Sequence, residues 1–260
     1  MQPTIEFIID LCRQAGKVLR DGYGKKHAVE YKGPIDPVTE IDRRAEDLII
    51  RAIRSRYPGH SIEAEESGIT SGEKEHGWII DPVDGTANYA KGLPFFCVSV
   101  AYAQNGKVQK ACAYDPLRDE FFYASRGEGA FLNKKPIRVS TTSELISSML
   151  VTGFPYDHAK LDENLAHFTR LLRKVQTIRR LGSAVLDQVY VAAGRIDGYW
   201  QTGVKPWDIA GGTLIIEEAG GVITNLKGEP DYMRPPYDIV AANPKLHPIL
   251  LAELRVNHPG

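Results

Sequence analysis

Asp81-Pro82-Val83-Asp84-Gly85-Thr86 sets two carboxylates three residues apart at the end of an apolar run, Trp78-Ile79-Ile80. The run reads as a buried strand that carries Asp81 to its end. Pro82 then forces a turn, on which Asp84 returns. Gly85 permits a tight backbone, and exposed N–H groups follow where a helix can start. Two acids beside a nest of amides suit divalent cations together with a phosphate. Asp, Pro and Gly also make ordinary solvated turns, but such a turn needs no pair of acids at a buried strand's end. Further acids stand elsewhere: Asp42, Glu65-Glu66 and, far along the chain, Asp208 after Trp207. Each alone has a plain structural reading, as a helix cap, a charged surface turn or a complement to a helix dipole.

Elements must bring these acids together, and the sequence marks several. Ile5, Ile8, Ile9, Cys12, Ala15 and Leu19 recur at helical spacing. Tyr31 to Thr39 reads as a loop, because of Gly33, Pro34 and Pro37. Thr39-Glu40-Ile41-Asp42 fits a capping box for a helix that Tyr57-Pro58-Gly59 ends. Phe95 to Ala103, Lys107 to Tyr114 and Glu120 to Ser125 are β-rich, and Asn105-Gly106 is a strong hairpin turn. Helices are expected around Leu161 to Leu172, from Ser183 to Ala193, from Pro206 to Ala219 and after Pro244. Ile196 to Trp200 and Asp238 to Ala242 read as strands. Hairpins flanked by helices point to packed α and β layers and not to a repeating βα unit.

Composition excludes several classes. The 260 residues carry 32 Lys and Arg against 33 Asp and Glu, a formal charge of −1. That balance shows no nucleic-acid stripe and no polybasic membrane patch, so neither partner is expected. No apolar run is long enough to span a bilayer, and Glu6 and Asp10 stand where a signal peptide would need basic residues. Cys12, Cys97 and Cys112 are an odd number at wide spacings, read as reduced core thiols of a cytoplasmic protein. Residues 1–260 are read as one unit of two closely packed halves, any division falling near residue 140.

Taken together, Glu65-Glu66-Ser67, Asp81-Pro82-Val83-Asp84-Gly85-Thr86 and Trp207-Asp208-Ile209-Ala210-Gly211-Gly212 resemble the inositol monophosphatase family, with Pro37 to Asp42 upstream. Gly127 to Phe131, Glu218 to Val222 and Ala241-Ala242-Asn243 extend the resemblance over essentially the whole chain. Haloacid-dehalogenase phosphatases are excluded, since two residues separate the acids here where that family has one. The resemblance implies an α/β fold, a five-layered α-β-α-β-α sandwich, and a homodimer. It implies two to three Mg²⁺ per site. Glu65, Asp81 and the Val83 carbonyl would hold the first, Asp81, Asp84 and Asp208 the second, and Glu65 with water a third. Asp42 and Thr86 would polarise the attacking water, with the Gly85 and Thr86 amides on the phosphate. Li⁺ would inhibit by taking a metal position.

The charges agree with that assignment. Five carboxylates and a phosphate monoester sum to about −7, which three Mg²⁺ nearly cancel. Oxygen ligands without His or Cys favour Mg²⁺ over Zn²⁺. The resemblance places the alcohol beside Gly182, Ser183, Ala184 and Gln201, with Asp84 and Asp208 also facing substrate. Where the family commonly has Glu, this chain has Gln201. The expected substrate is a small polyol or sugar phosphate monoester, foremost myo-inositol 1-phosphate. Histidinol phosphate and fructose 1,6-bisphosphate are the enzymatic alternatives, and regulatory binding to RNA polymerase or ribosomal RNA is the non-enzymatic one. Lys205 and Arg179-Arg180 are read as surface charges.

Overall fold

The computed structural model describes residues 2–25, 27, 29–31, 37–155 and 158–255. Helix α1 (Ile5–Gly22) starts at Thr4, whose hydroxyl accepts from the Phe7 N–H, and turns Ile8, Leu11, Cys12, Ala15 and Leu19 inward. A short ribbon, β1 (Val29–Tyr31) and β2 (Pro37–Thr39), leads into α2 (Glu40–Arg56). Next come β3 (His60–Ala64), β4 (Gly68–Thr70), β5 (Glu73–Asp84) and the one-turn α3 (Thr86–Ala90). A meander follows: β6 (Cys97–Gln104), β7 (Lys107–Asp115), β8 (Glu120–Ser125), β9 (Gly129–Leu132) and β10 (Lys135–Pro136). The rest is β11 (Met149–Thr152), α4 (His158–Leu172), β12 (Thr177–Arg179), α5 (Ala184–Ala192) and β13 (Gly198–Gln201). It closes with α6 (Pro206–Glu218), β14 (Val222–Thr224), β15 (Ile239–Ala242) and α7 (Leu246–Leu254).

The strands form an eight-stranded sheet, β10-β9-β8-β7-β6-β5-β3-β4, and a five-stranded sheet, β12-β11-β13-β15-β14. In the larger one only β3 and β5 run parallel. Apolar faces order the layers. α1 and α2 close one face of the larger sheet over Ile49, Ile53, Trp78, Val98 and Tyr102. α5 and α6 fill the space between the sheets, where Val185, Leu186, Ile209 and Leu214 meet Ala101, Phe122, Tyr199 and Ala241. α7 and the end of α4 cover the smaller sheet's outer face through Leu171, Leu246 and Leu250 on Leu150, Trp200 and Val240. The result is the five-layered α-β-α-β-α sandwich that the sequence led us to expect. Cys12, Cys97 and Cys112 are free and buried, as thiols used for packing.

Two local readings change. The stretch read as a loop from Tyr31 to Thr39 contains a strand, since Pro37, Val38 and Thr39 pair antiparallel with Tyr31, Glu30 and Val29. Proline is tolerated at the first residue of such a strand, because the missing N–H costs no ladder bond there. Gly33 and Pro34 lie outside the described residues. Pro82 does not turn the chain out of the sheet. Asp81 pairs with Ser99 and Asp84 with Cys97, so Pro82 and Val83 stand opposite Val98 alone. This two-against-one bulge lets β5 run on to Asp84 while bending the strand and re-aiming its acids.

Candidate active site

Each acid is held by the way its element begins or ends. Asp42 is the third residue of α2 and closes the capping box, its Oδ2 accepting from the Thr39 N–H (3.1 Å) and hydroxyl. Its Oδ1 accepts from the Thr86 hydroxyl at 3.0 Å. The cap thus takes one carboxylate oxygen of Asp42 and the Thr86 hydroxyl the other. Asp208 is the third residue of α6 and accepts from the Lys205 N–H at 2.7 Å. Asp81 accepts from the Val83 N–H at 3.0 Å, which stabilises the bulge. Asp84 is gripped by the start of α5, accepting from the Ser183 hydroxyl, the Ala184 N–H (3.0 Å) and the Val185 N–H (2.8 Å).

These elements converge. Carboxylate oxygens of Asp81, Asp84 and Asp208 all lie within 4.8 Å of one another. Glu65, just past β3, is near enough for its charge to act on Asp81 and Asp208. Glu65, Asp81, Val83, Asp84, Gly85, Thr86 and Asp208 line one cavity of about 380 Å³. Gly182, Ser183, Ala184 and Gln201 line it too, with the polar atoms of Ser183 and Ala184 turned to Asp84. Gly85 has φ +98°, and a Cβ there would stand 3.0 Å from the Phe95 carbonyl and 3.2 Å from that of Gly182. Any side chain would be both strained and crowded at the turn that joins β5 to α3.

Electrostatics explain what the cluster needs. Burial, then the charges of Glu65, Asp84 and Asp208, push the Asp81 carboxyl well above the usual carboxylate range. Burial and the charges of Asp84 and Glu65 do the same to Asp208. Asp84 is raised by burial against the pull of the Ser183 hydroxyl and the α5 amides. Asp42 is raised by burial, opposed by its bonds from Thr39 and Thr86. Buried acids that repel one another fit a hard divalent cation, because its charge offsets the repulsion and their oxygens match its preference.

Some contributors were not legible as functional residues. Glu46, on α2, is 3% exposed and accepts from the N–H groups of Glu66 (2.9 Å) and Ser67 (2.8 Å). It thereby fixes the turn that presents Glu65. The available signal was a charged residue on the apolar face that Ile49 and Ile53 define. Glu46→Ala should leave two N–H groups without their acceptor, costing about 1–3 kcal/mol of stability. It should also weaken Mg²⁺ activation about 10- to 100-fold. Thermal melts and Mg²⁺ titrations of phosphate release check both. Asp187 also lines the cavity and is raised well above its usual range by burial and by Asp84. Arg180 and Lys205, read from sequence as surface charges, are exposed and also line the cavity.

A second cluster, His60, Glu73 and His76, lies at the opposite ends of β3 and β5. Trp78 Nε1 donates to His60 Nδ1 at 3.1 Å, which puts the proton of neutral His60 on Nε2. In this arrangement His60 keeps no lone pair for a cation. Among the described residues no helix is long and apolar enough to cross a membrane.

A layered α/β fold with a cluster of carboxylates at its centre suits the metal-dependent hydrolysis of phosphate esters. A profile of the inositol monophosphatase family matches residues 1–258, and the chain belongs to that family. Among its relatives, Nus factor SuhB of Pasteurella multocida is 42% identical over 250 residues, covering 95% of this chain and 93% of that protein. The crystal structure of extragenic suppressor protein suhB from Bartonella henselae superposes with a TM-score of 0.93 at 36% identity, covering 97% of this chain and 98% of that one. An inositol monophosphatase from Anabaena gives 0.87 at 40% identity, covering 96% and 94%.

Proposed function

We propose that this protein is a Mg²⁺-dependent phosphoric monoester hydrolase acting on small polyol or sugar phosphates, myo-inositol 1-phosphate foremost among them. The carrying observation is the approach of Asp81, Asp84 and Asp208 to within 4.8 Å, beside Glu65. Glu65, Asp81 and the Val83 carbonyl would hold one ion, Asp81, Asp84 and Asp208 a second, and Glu65 a third with water. Bound Mg²⁺ would neutralise the phosphate and lower the pKa of the attacking water.

The chain's own groups orient that water. The Thr86 hydroxyl stands 3.0 Å from Asp42 Oδ1 and 2.9 Å from the Val83 carbonyl oxygen. Its single proton goes to one of them, leaving the oxygen's lone pairs to accept from water. Asp42, raised by burial, is suited to take up a proton passed through Thr86. The Gly85 and Thr86 amides would hold phosphate oxygens at the turn before α3.

Inorganic phosphate release from myo-inositol 1-phosphate tests the reading. It should vanish in EDTA, return with Mg²⁺ and be inhibited by Li⁺. Release that persists in EDTA sinks it. Gln201→Glu, restoring an acceptor to the wall of the cavity, should raise the kcat/KM ratio of inositol 1-phosphate over glycerol 2-phosphate. An unchanged ratio would show that position 201 does not read the alcohol. Histidinol phosphate and fructose 1,6-bisphosphate belong in the same substrate panel. The reading places the enzyme in the cytoplasm as a homodimer, which light scattering can check. The name Nus factor carried by the relative from Pasteurella supports a second role, binding to the transcription machinery. Retention of RNA polymerase on the immobilised protein tests it.

A further inference from the structure

A second cavity, of about 520 Å³, opens between α4, the loop joining β14 to β15 and the end of α7. Among the described residues it shares no lining residue with the catalytic cavity. Its volume falls within the range of small-molecule sites, roughly 300–1,000 Å³. Arg170, Lys227 and Arg255 gather at one end of it. Arg170 Nη1 donates to the Glu253 carbonyl (2.5 Å), beside Arg255, and Arg255 Nε donates to the Leu226 carbonyl (2.9 Å), beside Lys227. These bonds fix the two guanidinium planes and use one N–H of each, so most of each fork's donors are left over. None of the salt bridges among the described residues includes Arg170, Lys227 or Arg255.

The acids on the lining are placed differently. Asp231 neutralises Arg234 at 3.0 Å. Asp238 accepts from the Gly203 N–H (3.0 Å), and Glu229 accepts from the Asn225 side-chain amide (2.8 Å). Glu163 lies seven residues before Arg170 on α4, about 10 Å along the helix. The cavity thus has a cationic end and a wall of mixed apolar and carboxylate character, to which Leu226 and Leu254 contribute.

Two connections join this cavity to the catalytic one. Asp238 holds Gly203, and the Val204 N–H donates to the Tyr237 carbonyl at 3.3 Å, so the β14–β15 loop supports the segment that leads into Lys205 and Asp208. On α4, Asn164 stands next to Glu163 and is wholly buried. It donates to the Gly153 carbonyl (2.5 Å) and accepts from Trp200 Nε1 (2.8 Å), and Gly153 lines the catalytic cavity.

We propose that this cavity is a second, non-catalytic site for a phosphorylated metabolite, with the phosphate on Arg170, Lys227 and Arg255 and a hydroxyl-bearing organic part along the remaining wall. Bare phosphate would fill only a fraction of the volume. Through residues 203–205 its occupancy shifts the affinity of the Asp208 cluster for Mg²⁺, and by linkage Mg²⁺ shifts the ligand's affinity by the same factor. The coupling rests on the phosphatase reading, whereas the binding does not.

Titration calorimetry in EDTA with uridine 5′-monophosphate, glucose 6-phosphate and inorganic phosphate tests the site. Without metal the carboxylate cluster repels all three, so the catalytic cavity does not compete. At least one ester should bind with one molecule per chain, more tightly than inorganic phosphate, and added salt should weaken it. Arg255→Met and Lys227→Met should each raise its Kd about tenfold. Lys227 is exposed, so Lys227→Met should keep the parent's melting temperature. Binding of neither ester, binding no tighter than that of inorganic phosphate, or a Kd unchanged in Lys227→Met overturns the proposal. For the coupling, the Mg²⁺ concentration giving half-maximal phosphate release from myo-inositol 1-phosphate is measured with and without the bound ester. It should move about fivefold more in the parent than in Lys227→Met. Competition at the catalytic cavity is common to both proteins, so equal shifts overturn the coupling and leave the binding site. Absence of Mg²⁺-dependent release overturns the phosphatase reading, and the coupling with it, while calorimetry still decides the site.

Discussion

Asp84→Asn should lower kcat by about 10³-fold or more, the scale of losing one preorganised electrostatic group at a reacting centre. The substitution is isosteric, so the loss isolates charge from shape. Asp84 accepts on both oxygens, from the Ala184 N–H on one and from the Val185 N–H and Ser183 hydroxyl on the other. Whichever way the Asn amide sits, its NH₂ meets a donor, and an unsatisfied pair of this kind costs about 1–3 kcal/mol. Against that, the variant removes a charge that raises both Asp81 and Asp208. Without metal the two effects oppose, so the variant should melt near the parent. With metal it should lose most of the parent's Mg²⁺-induced rise. An Asp84→Asn protein that is folded and fully active would remove Asp84 from the metal cluster.

The second large effect is a stability that depends on pH and metal together. Asp81, Asp187 and Asp208 have carboxyls raised well above normal by burial and neighbouring charge. A raised acid contributes stability below its unfolded-state pKa of about 4, and that contribution is lost as pH rises through the folded value. The chelated protein should therefore weaken as pH climbs above about 5. His60 works in the opposite sense, because burial and the nearby His76 lower its pKa. Its contribution is whole above about pH 6.5 and is lost on acidification below that. Mg²⁺ held by this cluster would require the ionised carboxylates and would offset their repulsion, so its stabilisation should be greatest where the chelated protein is weakest. Near 100 times its Kd, a ligand adds about 2.7 kcal/mol, or roughly 5–10 °C for a chain of this size. Calorimetry with Mg²⁺ or EDTA should show the larger gap at pH 8 and a smaller one at pH 5.5. Equal gaps would mean that the raised acids are not the ones the metal meets.

Much of this site was legible because its acids sit in short, distinctive contexts. Asp81 and Asp84 follow a buried run, and Asp42 and Asp208 each stand three residues from a recognisable helix start. The layer order was legible through the resemblance and through hairpins flanked by helices. What escaped were relations that no local pattern encodes. Glu46 serves a turn twenty residues away by way of backbone N–H groups, which carry no side-chain signature. The bulge at Pro82 and Val83 depends on how β6 pairs with β5, and proline alone suggests a turn as readily. Strands of three or four residues, such as β11, β12 and β14, are too short to show alternation. Arg180 looked like an ordinary surface charge because only the approach of Gly182 to Gly85 places it at the cavity.

The middle layer has a mechanical consequence. α5 grips Asp84, which belongs to the larger sheet, and α6 supplies Asp208 to the same cluster. The two helices are locked side by side, since a Cβ on Gly212 would stand 2.5 Å from Gln188 Oε1. Cations held there would rivet the helix pair to the end of β5, and emptying the site would loosen the joint between the two sheets. Deuterium uptake at the first turns of α5 and α6 should then rise on chelation, while the meander β7–β9 stays protected.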